Sequence, residues 1–209
     1  MTKSIRFFGS AALFVTLLAP AASRAQLPQA DKLFKALNVG AGATICEIGA
    51  GDGKMSIEAA RVVGASGRVL TSELGADHVK SLQEKIAASG LTQISVVTGE
   101  ATRTNFGDAA CDAIFMKDVY HHFAEPAAMN ASILAALKPG GRLAIVDFTP
   151  PPGSEAKVPA DRDNDGMHGI TPETLARELK DAGYEPVETQ IDGRGFTMIV
   201  AKKKQADCS

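Results

Sequence analysis

The sequence predicts an α/β protein: a doubly wound sheet of five parallel strands, followed by a C-terminal hairpin whose last strand is antiparallel. Strand-like and helix-like segments alternate from residue 28 onward, which is typical of parallel strands joined by helical crossovers. The strand-like runs are short and continuously apolar, as strands covered by helices on both faces are. The last two runs are joined by a tight glycine turn, which predicts an antiparallel pair.

Each predicted element ends at a recognisable signal. The predicted helices cover residues 29–39, 53–64, 75–90, 125–141 and 171–184, and the predicted strands cover residues 44–49, 67–73, 94–100, 111–118, 142–148, 186–192 and 195–201. Gly64 and Gly90 stop the second and third helices, and the sequence Pro-Gly-Gly stops the fourth. Thr171 is expected to cap the last helix, with Pro172 in its first turn. Residues 149–169 form a long loop, either a lid or a disordered insert.

The first 25 residues have the order of a secretory signal peptide. Lys3 and Arg6 precede an uncharged apolar stretch at 7–19, and small residues lead to Ala25, after which we predict cleavage. The apolar stretch is shorter than the roughly twenty residues that a membrane-spanning helix needs. We therefore predict a signal peptide at 1–25, one domain at 26–203, a tail at 204–209 and export to the periplasm. An uncleaved leader that anchors the protein to the membrane and a mitochondrial presequence are the alternatives.

The composition excludes some classes of partner. The apolar content of 45% and the charged content of 22% are typical of a globular domain with a sizeable core. Without the three basic residues of the leader, 19 basic residues face 24 acidic ones, a formal net charge of −5. Such a protein has no electrostatic attraction for nucleic acid or for an anionic membrane surface. We expect no nucleic-acid partner, no strong membrane binding after leader cleavage, and a monomer or homodimer.

Two of the three cysteines fall in predicted strands. Cys46 lies in the first strand and Cys111 in the fourth, where the simplest expectation is a small buried hydrophobic side chain. If these strands are neighbours, export would make a disulfide between them chemically possible. We nevertheless expect two free thiols, because disulfide geometry is specific.

The motif Glu47-Ile48-Gly49-Ala50-Gly51-Asp52-Gly53 predicts a ligand site. A strand that ends in glycines and turns directly into a helix lets a ligand approach bare backbone, and it points amide N–H groups into the crevice beyond the strands. Dinucleotide-binding folds instead use Gly-x-Gly-x-x-Gly, whereas position 54 here is Lys54. Glu47 would repel a pyrophosphate and suits a cationic ligand.

Two further carboxylates are predicted at the same edge of the sheet. Glu73 ends the second strand, where an acidic side chain can accept hydrogen bonds from both hydroxyls of a ribose. Glu100 follows the third strand and could accept a hydrogen bond from an exocyclic amine. Together with Glu47, these acids predict a pocket for a nucleoside that carries positive charge.

The motifs resemble those of the class I S-adenosylmethionine-dependent methyltransferases over about residues 30–203. The segment EIGAGDG resembles the first motif of that family, Glu73 its ribose-binding acid, GEA (99–101) its adenine-contacting turn, and CDAIFMKDVYHHF (111–123) its fourth motif. A closer resemblance is to bacterial proteins known as predicted methyltransferases, which often have signal-like leaders. The resemblance implies a Rossmann-like methyltransferase sheet and S-adenosylmethionine as the cofactor, with no metal. The implied cofactor-binding residues are Glu47, Gly49, Gly51, Gly53, Glu73, Leu74, Glu100, Ala101 and Lys117.

The resemblance implies methyl transfer by in-line displacement to a small-molecule acceptor that the sequence does not identify. The protein then mainly aligns the acceptor and excludes water, and a base is needed only for an acceptor that arrives protonated. The candidate groups on the acceptor side are Asp118, Tyr120, His121, His122, Asp147 and His168, and the three histidines are the catalytic candidates among them. At most one residue of the adjacent pair is expected to face the substrate, and packing beside the cofactor is the alternative role for each.

Two other functions stay open. A catalytically inactive module that binds a nucleoside or S-adenosylmethionine is the main alternative. A nicotinamide-dependent oxidoreductase is disfavoured by the glycine spacing. The acidic stretch 161–166 matches the first half of a calcium loop, but the glutamate expected at position twelve arrives one residue late, at Glu173. A solvated loop is therefore favoured there.

Overall fold

The computed structural model of the protein describes residues 28–162, 169–191 and 196–203. The strands are β1 (Thr44–Ile48), β2 (Arg68–Glu73), β3 (Ile94–Thr98), β4 (Cys111–Lys117), β5 (Leu137–Phe148), β6 (Tyr184–Ile191) and β7 (Phe196–Lys203). The helices are α1 (Pro28–Leu37), α2 (Lys54–Val63), α3 (Ala76–Ser89), α4 (Pro126–Ala136) and α5 (Pro172–Asp181), with 3-10 turns at Tyr120–His122 and Pro159–Asp161. None of the helices in these ranges has the length and apolar character of a membrane span.

The strands form one sheet in the order β3-β2-β1-β4-β5-β7-β6. The first five strands pair in parallel, and β7 runs antiparallel to both β5 and β6. The predicted parallel sheet with an antiparallel last strand is therefore confirmed. Because β1 and β4 are neighbours although they are distant in sequence, the loops that follow them diverge and leave a crevice at their carboxyl ends.

The side chains of the sheet divide between two apolar layers. Ala113 and Phe115 of β4 pack on the side covered by α1, α2 and α3. Ile114 and Met116 pack on the side covered by α4 and α5. This alternation explains the continuously apolar strand sequences, because both faces of the sheet are covered.

Cys46 and Cys111 form a disulfide, so the expectation of two free thiols is wrong. Their strands are direct neighbours, and both side chains lie in the layer beneath α4 and α5. Cys46 is in register with Ile114, three residues beyond Cys111, yet the two Cα atoms are only 5.9 Å apart. The ladder between β4 and β5 shifts register between Cys111 and Ala113, an irregularity that sequence spacing does not reveal.

Strand β5 begins at Leu137, five residues before the predicted strand, and α4 is correspondingly shorter than predicted. Pro139 cannot continue a helix, and the chain extends instead through Gly140 and Gly141. A Cβ atom at Gly141 would lie 2.9 Å from the carbonyl oxygens of both Asp112 and Lys138. Only glycine lets β5 run this close to β4.

The described part of the long loop is fastened to α5 at two points. Glu155 accepts a hydrogen bond of 2.9 Å from the backbone N–H of Thr171, and Arg162 pairs with Glu178. The predicted cap at Thr171 is confirmed, since its Oγ1 accepts from the Thr174 N–H at 3.3 Å. Residues 163–168, with His168 and most of the acidic stretch, lie outside the described residues, as do the leader and the tail.

Candidate functional site

A cavity of about 550 Å³ opens at the carboxyl ends of the parallel strands. It lies at the point where the strand order reverses, which is where open α/β sheets bind ligands. The predicted site residues that line it are Gly49, Glu73, Leu74, Glu100, Ala101 and His122. The remaining predicted residues in the described part of the chain are Glu47, Gly51, Gly53, Lys117 and His121, and they do not line it.

The glycine loop is held against the end of β2. Gly49 adopts a φ of +68°, and a Cβ atom there would lie 2.5 Å from Val119 Cγ2. The N–H groups of Gly49 and Ala50 both donate to the carbonyl of Ser72, at 3.0 and 3.1 Å. The structure thus differs from the expectation that these amide groups point into the crevice, because both of them donate hydrogen bonds to the neighbouring strand. The cavity meets glycine backbone instead.

Glu73 is oriented by backbone donors on both of its oxygens. Oε2 accepts from the N–H of Gly51 at 2.7 Å, and Oε1 accepts from the N–H of Leu74 at 2.9 Å. These bonds hold the carboxylate in the cavity wall. Each oxygen keeps another lone pair, so the group can still accept hydrogen bonds from two ligand hydroxyls.

Glu100 is held by Asn105, a residue to which the sequence interpretation gave no role. The Asn105 amide donates to Glu100 Oε1 at 3.0 Å and to the carbonyl of Thr98 at 3.1 Å. Its φ of 59° lies in the left-handed region, which asparagine tolerates better than most residues. In the sequence, the asparagine in the loop after the third strand is the feature that could have indicated a partner for Glu100. Glu100 keeps Oε2 for a ligand.

Glu47 points away from the cavity. It is 3% exposed, and its Oε2 accepts a hydrogen bond from the hydroxyl of Ser56, which lies 2.9 Å from Thr71 Oγ1. Burial raises the pKa of Glu47 to about 8, and the nearby carboxylates of Glu73 and Asp52 add to this rise. At neutral pH the side chain is therefore mostly protonated in this structure. Its assignment to the cofactor stays a prediction, and the negative charge at the cavity comes from other residues.

The raised pKa predicts a pH-dependent stability that glutamine would remove. The folded protein binds a proton at Glu47 that the unfolded chain releases from about pH 4.5 upward. The free energy of unfolding therefore falls as pH rises towards 8, by at most about 1.4 kcal/mol per pH unit. Glu47→Gln keeps the Ser56 hydrogen bond and should lack this fall. Urea unfolding between pH 4.5 and 8 measures this change in the free energy of unfolding. Glu84→Gln is the control, because Glu84 is an exposed glutamate on α3. Identical pH profiles for the wild type and Glu47→Gln would contradict the prediction.

The other predicted cofactor residues off the cavity wall have partners within the protein. The ammonium of Lys117 pairs with the Asp118 carboxylate and lies 5.5 Å from the centroid of the Phe196 ring. Gly53 caps α2 with a φ of 75°, and a Cβ atom there would lie 2.9 Å from Leu82 Cδ1. A packing role is therefore sufficient to explain Gly53. The cofactor roles of Gly51, Gly53 and Lys117 stay predictions.

Asp118 is predicted on the acceptor side rather than among the cofactor residues, and it lines the cavity. Its φ is 56°, and its N–H donates to the carbonyl of Val146 at 2.8 Å. Its Oδ1 is buried without a hydrogen-bond partner in the described part of the chain. A buried acceptor without a partner is costly. The rest of the side chain lies in the cavity wall, where a carboxylate suits a ligand with a cationic group.

The two adjacent histidines have different surroundings. His122 is exposed and lines the cavity. His121 is buried, and its ring Nδ1 lies 2.8 Å from Asp147 Oδ1. The backbone N–H of His121 donates to Asp147 Oδ2 at 3.1 Å. The two imidazole centroids are 4.0 Å apart, and Phe148 packs 4.7 Å from the His121 ring. Only His122 of this pair can contact a ligand in the cavity. His121 packs against the His122 ring and is itself held by Asp147.

Known proteins with similar sequences are methyltransferases. A family model described as a methyltransferase domain matches residues 45–141. One curated relative is the ubiquinone/menaquinone biosynthesis C-methyltransferase UbiE of Marinomonas sp. (strain MWYL1), 28% identical over 114 residues, which are 54% of this chain and 45% of that protein. The corresponding enzyme of Pseudomonas paraeruginosa is 28% identical over 117 residues, 56% of this chain and 46% of that protein. The match thus spans less than half the length of these relatives.

Solved structures share the fold at lower identity. A SAM-dependent methyltransferase from Aquifex aeolicus superimposes with a TM-score of 0.71 and 23% identity, covering 83% of this chain and 89% of that one. The cyclase SpnF superimposes with a TM-score of 0.73 and 16% identity, covering 85% and 80%. Because one of these neighbours is a cyclase, the fold alone does not establish the reaction.

Proposed function

We propose that this chain, which belongs to the class I S-adenosylmethionine-dependent methyltransferase family, transfers a methyl group to a small-molecule acceptor by in-line displacement. The family match and the structural neighbours imply S-adenosylmethionine as the cofactor. The observation that carries the proposal is the cavity at the carboxyl ends of the strands, with the carboxylates of Glu73 and Glu100 in its wall.

The residues of the cavity fit this cofactor. Glu73 presents two oriented oxygens for the ribose hydroxyls, and Glu100 keeps one oxygen for the amine of the adenine. The Asp118 carboxylate also lies in the cavity wall, where it suits the ammonium group of the amino-acid end. The negative charge of these side chains also favours a ligand with a cationic sulfur. Gly49 contributes backbone to the cavity wall, and glycine is required there because a Cβ atom would clash with Val119.

The chain's own residues would align the acceptor and accept its proton where it has one. When bound, S-adenosylmethionine supplies an electrophilic methyl group on a cationic sulfur. His122 lies in the cavity wall, and an imidazole can accept a proton near neutral pH. The buried pair of His121 and Asp147 fixes the turn from which His122 projects. We assign His122 as the proton acceptor for acceptors with a hydroxyl or an ammonium group.

Replacement of His122 by glutamine is expected to slow transfer to protonated acceptors by about 10²–10⁴-fold, since a positioned base contributes that much. The rate of S-adenosylhomocysteine formation measures the effect across a panel of phenols, alcohols and ammonium compounds. Tertiary amines supplied above their pKa have no proton to lose, and they serve as the matched control in which no fall is expected. An equal fall for both classes of acceptor would show that His122 has another role.

The binding of S-adenosylhomocysteine to the purified protein tests the cofactor assignment on which the proposal depends. Isothermal titration should give one site per chain, and no heat at millimolar ligand would reject the assignment. Tight binding of a nicotinamide dinucleotide would favour an oxidoreductase instead. Binding without turnover over the whole acceptor panel would favour an inactive module, which nothing in the family match or the fold supports.

Export to the periplasm as a monomer or homodimer completes the proposal, with a membrane anchor from an uncleaved leader as the alternative. The disulfide between Cys46 and Cys111 supports export, because such bonds persist in oxidising compartments and are rare in the cytosol. N-terminal sequencing of the protein from fractionated cells distinguishes a cleaved leader from a retained one.

A further inference from the structure

The 3-10 turn Tyr120–His122 places its side chains in different surroundings. His122 lines the cavity, whereas Tyr120 is fully buried in the apolar layer beneath α4 and α5. The Tyr120 hydroxyl donates to Glu178 Oε2 at 3.0 Å and accepts from the Asn130 amide at 2.8 Å. Because the two residues share one short turn, a shift of the backbone at Tyr120 would be passed on to His122.

Glu178 is itself fixed by Arg162, the last described residue of the long loop before its gap. Arg162 Nη2 donates to Glu178 Oε1 at 2.6 Å, and Nη1 donates to Oε2 at 3.1 Å. The Arg162 side chain is 3% exposed and that of Glu178 is 14% exposed. A buried guanidinium with two parallel bonds to a carboxylate fixes both position and direction.

Arg162 also reaches the far end of the turn, where Nη1 lies 3.5 Å from the carbonyl oxygen of Phe123. The turn is therefore held at its start through Tyr120 and at its end through Phe123, with Arg162 acting on both. Buried ion pairs are poor contributors to stability, since desolvation offsets their attraction. Stability alone therefore does not explain the Arg162–Glu178 pair. The positions that the pair imposes on its neighbours explain it better.

We propose that Arg162 is a positioning residue for methyl transfer, which acts through Glu178 and Tyr120 to set the orientation of His122 in the cavity wall. The proposal rests on the function proposed above for His122. Arg162 would then influence the cavity wall from a distance, since it is itself held against α5.

The position of His122 can be followed by NMR in the cofactor-free protein, with isotope-labelled histidine and His122→Gln to assign the signal. Arg162→Met and Glu178→Gln are expected to shift the His122 imidazole resonance by more than its line width. Arg61→Met is the matched control, because it removes an arginine–glutamate pair on α2 that does not contact the turn. The affinity for S-adenosylhomocysteine should change by less than about threefold in all three variants, since none of them alters Glu73 or Glu100.

An unshifted His122 resonance in folded Arg162→Met overturns the proposal, as does an equal shift in Arg61→Met. If Arg162→Met does not fold, Tyr120→Phe removes only one oxygen atom and decides the question by the same resonance. A purely structural pair would lower the free energy of unfolding and leave this signal in place. Failure of the proposed function is a separate result, seen as absence of S-adenosylhomocysteine binding to the wild type. With an identified acceptor, kcat should fall at least about tenfold in Arg162→Met with little change in the KM for the cofactor.

Discussion

Replacement of Glu73 by glutamine is expected to weaken S-adenosylhomocysteine binding by about a hundredfold. Hydrogen bonds to a charged group contribute about 1.5–3 kcal/mol each, and the Glu73 carboxylate is placed to accept two of them from a ribose. Glutamine keeps the shape but loses the charge, and it turns one of the two acceptors into a donor. The bond from the Gly51 N–H to Oε2 also loses its charged acceptor.

Isothermal titration measures this loss directly. Glu84→Gln is the matched control, since Glu84 is an exposed glutamate on α3 and should bind the ligand as the wild type does. Glu100→Gln is expected to lose only about tenfold, because one hydrogen bond to a charged group is affected. An unchanged dissociation constant in Glu73→Gln would remove the main support for a ribose at this position.

Loss of the disulfide is expected to have the second large effect, on stability. Cys46 and Cys111 are separated by 65 residues, and closing a loop of this length in the unfolded chain is worth about 4 kcal/mol on the chain-entropy relation. That is a large share of the total of about 5–15 kcal/mol for a typical domain. The double variant Cys46→Ala/Cys111→Ala should therefore unfold at a clearly lower urea concentration.

The comparison needs protein in which the bridge has formed, with alkylation as the check. In the oxidised protein only Cys208 should be labelled after denaturation, and reduction in denaturant should expose all three thiols. Cys208→Ala is the control and should leave the urea midpoint unchanged. Equal midpoints for the oxidised wild type and the double variant would contradict a stabilising bridge.

The sheet and the location of the site were predictable because they depend on local patterns. Alternating apolar runs and helix stops define parallel crossovers, and the carboxyl ends of parallel strands meet at one edge. Glu73 and Glu100 follow consecutive strands, so their presence at one cavity follows from the topology. The glycines at the end of β1 marked the same edge.

The alternation of side chains along β1 determines the direction of Glu47. Side chains alternate along a strand, and Glu47 lies two residues after Ile45, which packs on the side of α1, α2 and α3. Glu47 therefore faces α2 and meets Ser56. The acidic motif residue was assigned by its type, whereas its position in the strand decides which way it points.

Other features depend on contacts that no sequence pattern specifies. The disulfide joins residues that are not in register on β1 and β4, and the ladder irregularity beside Cys111 leaves no clear pattern in a short strand. Arg162 and Glu178 lie sixteen residues apart, and their pairing requires the long loop to fold back onto α5. The length of the loop predicts a lid or an insert, and only tertiary packing shows that its described part is fastened to α5.

The position of β7 has a consequence for how the protein is made. β7 lies between β5 and β6, so β6 has no other strand partner in the described ranges until residues 196–203 have been synthesised. The sheet can close only after nearly the whole chain has left the ribosome, and the long-range pairing with β5 adds a slow step. A chain that stays open this long remains accessible to chaperones while it is being synthesised.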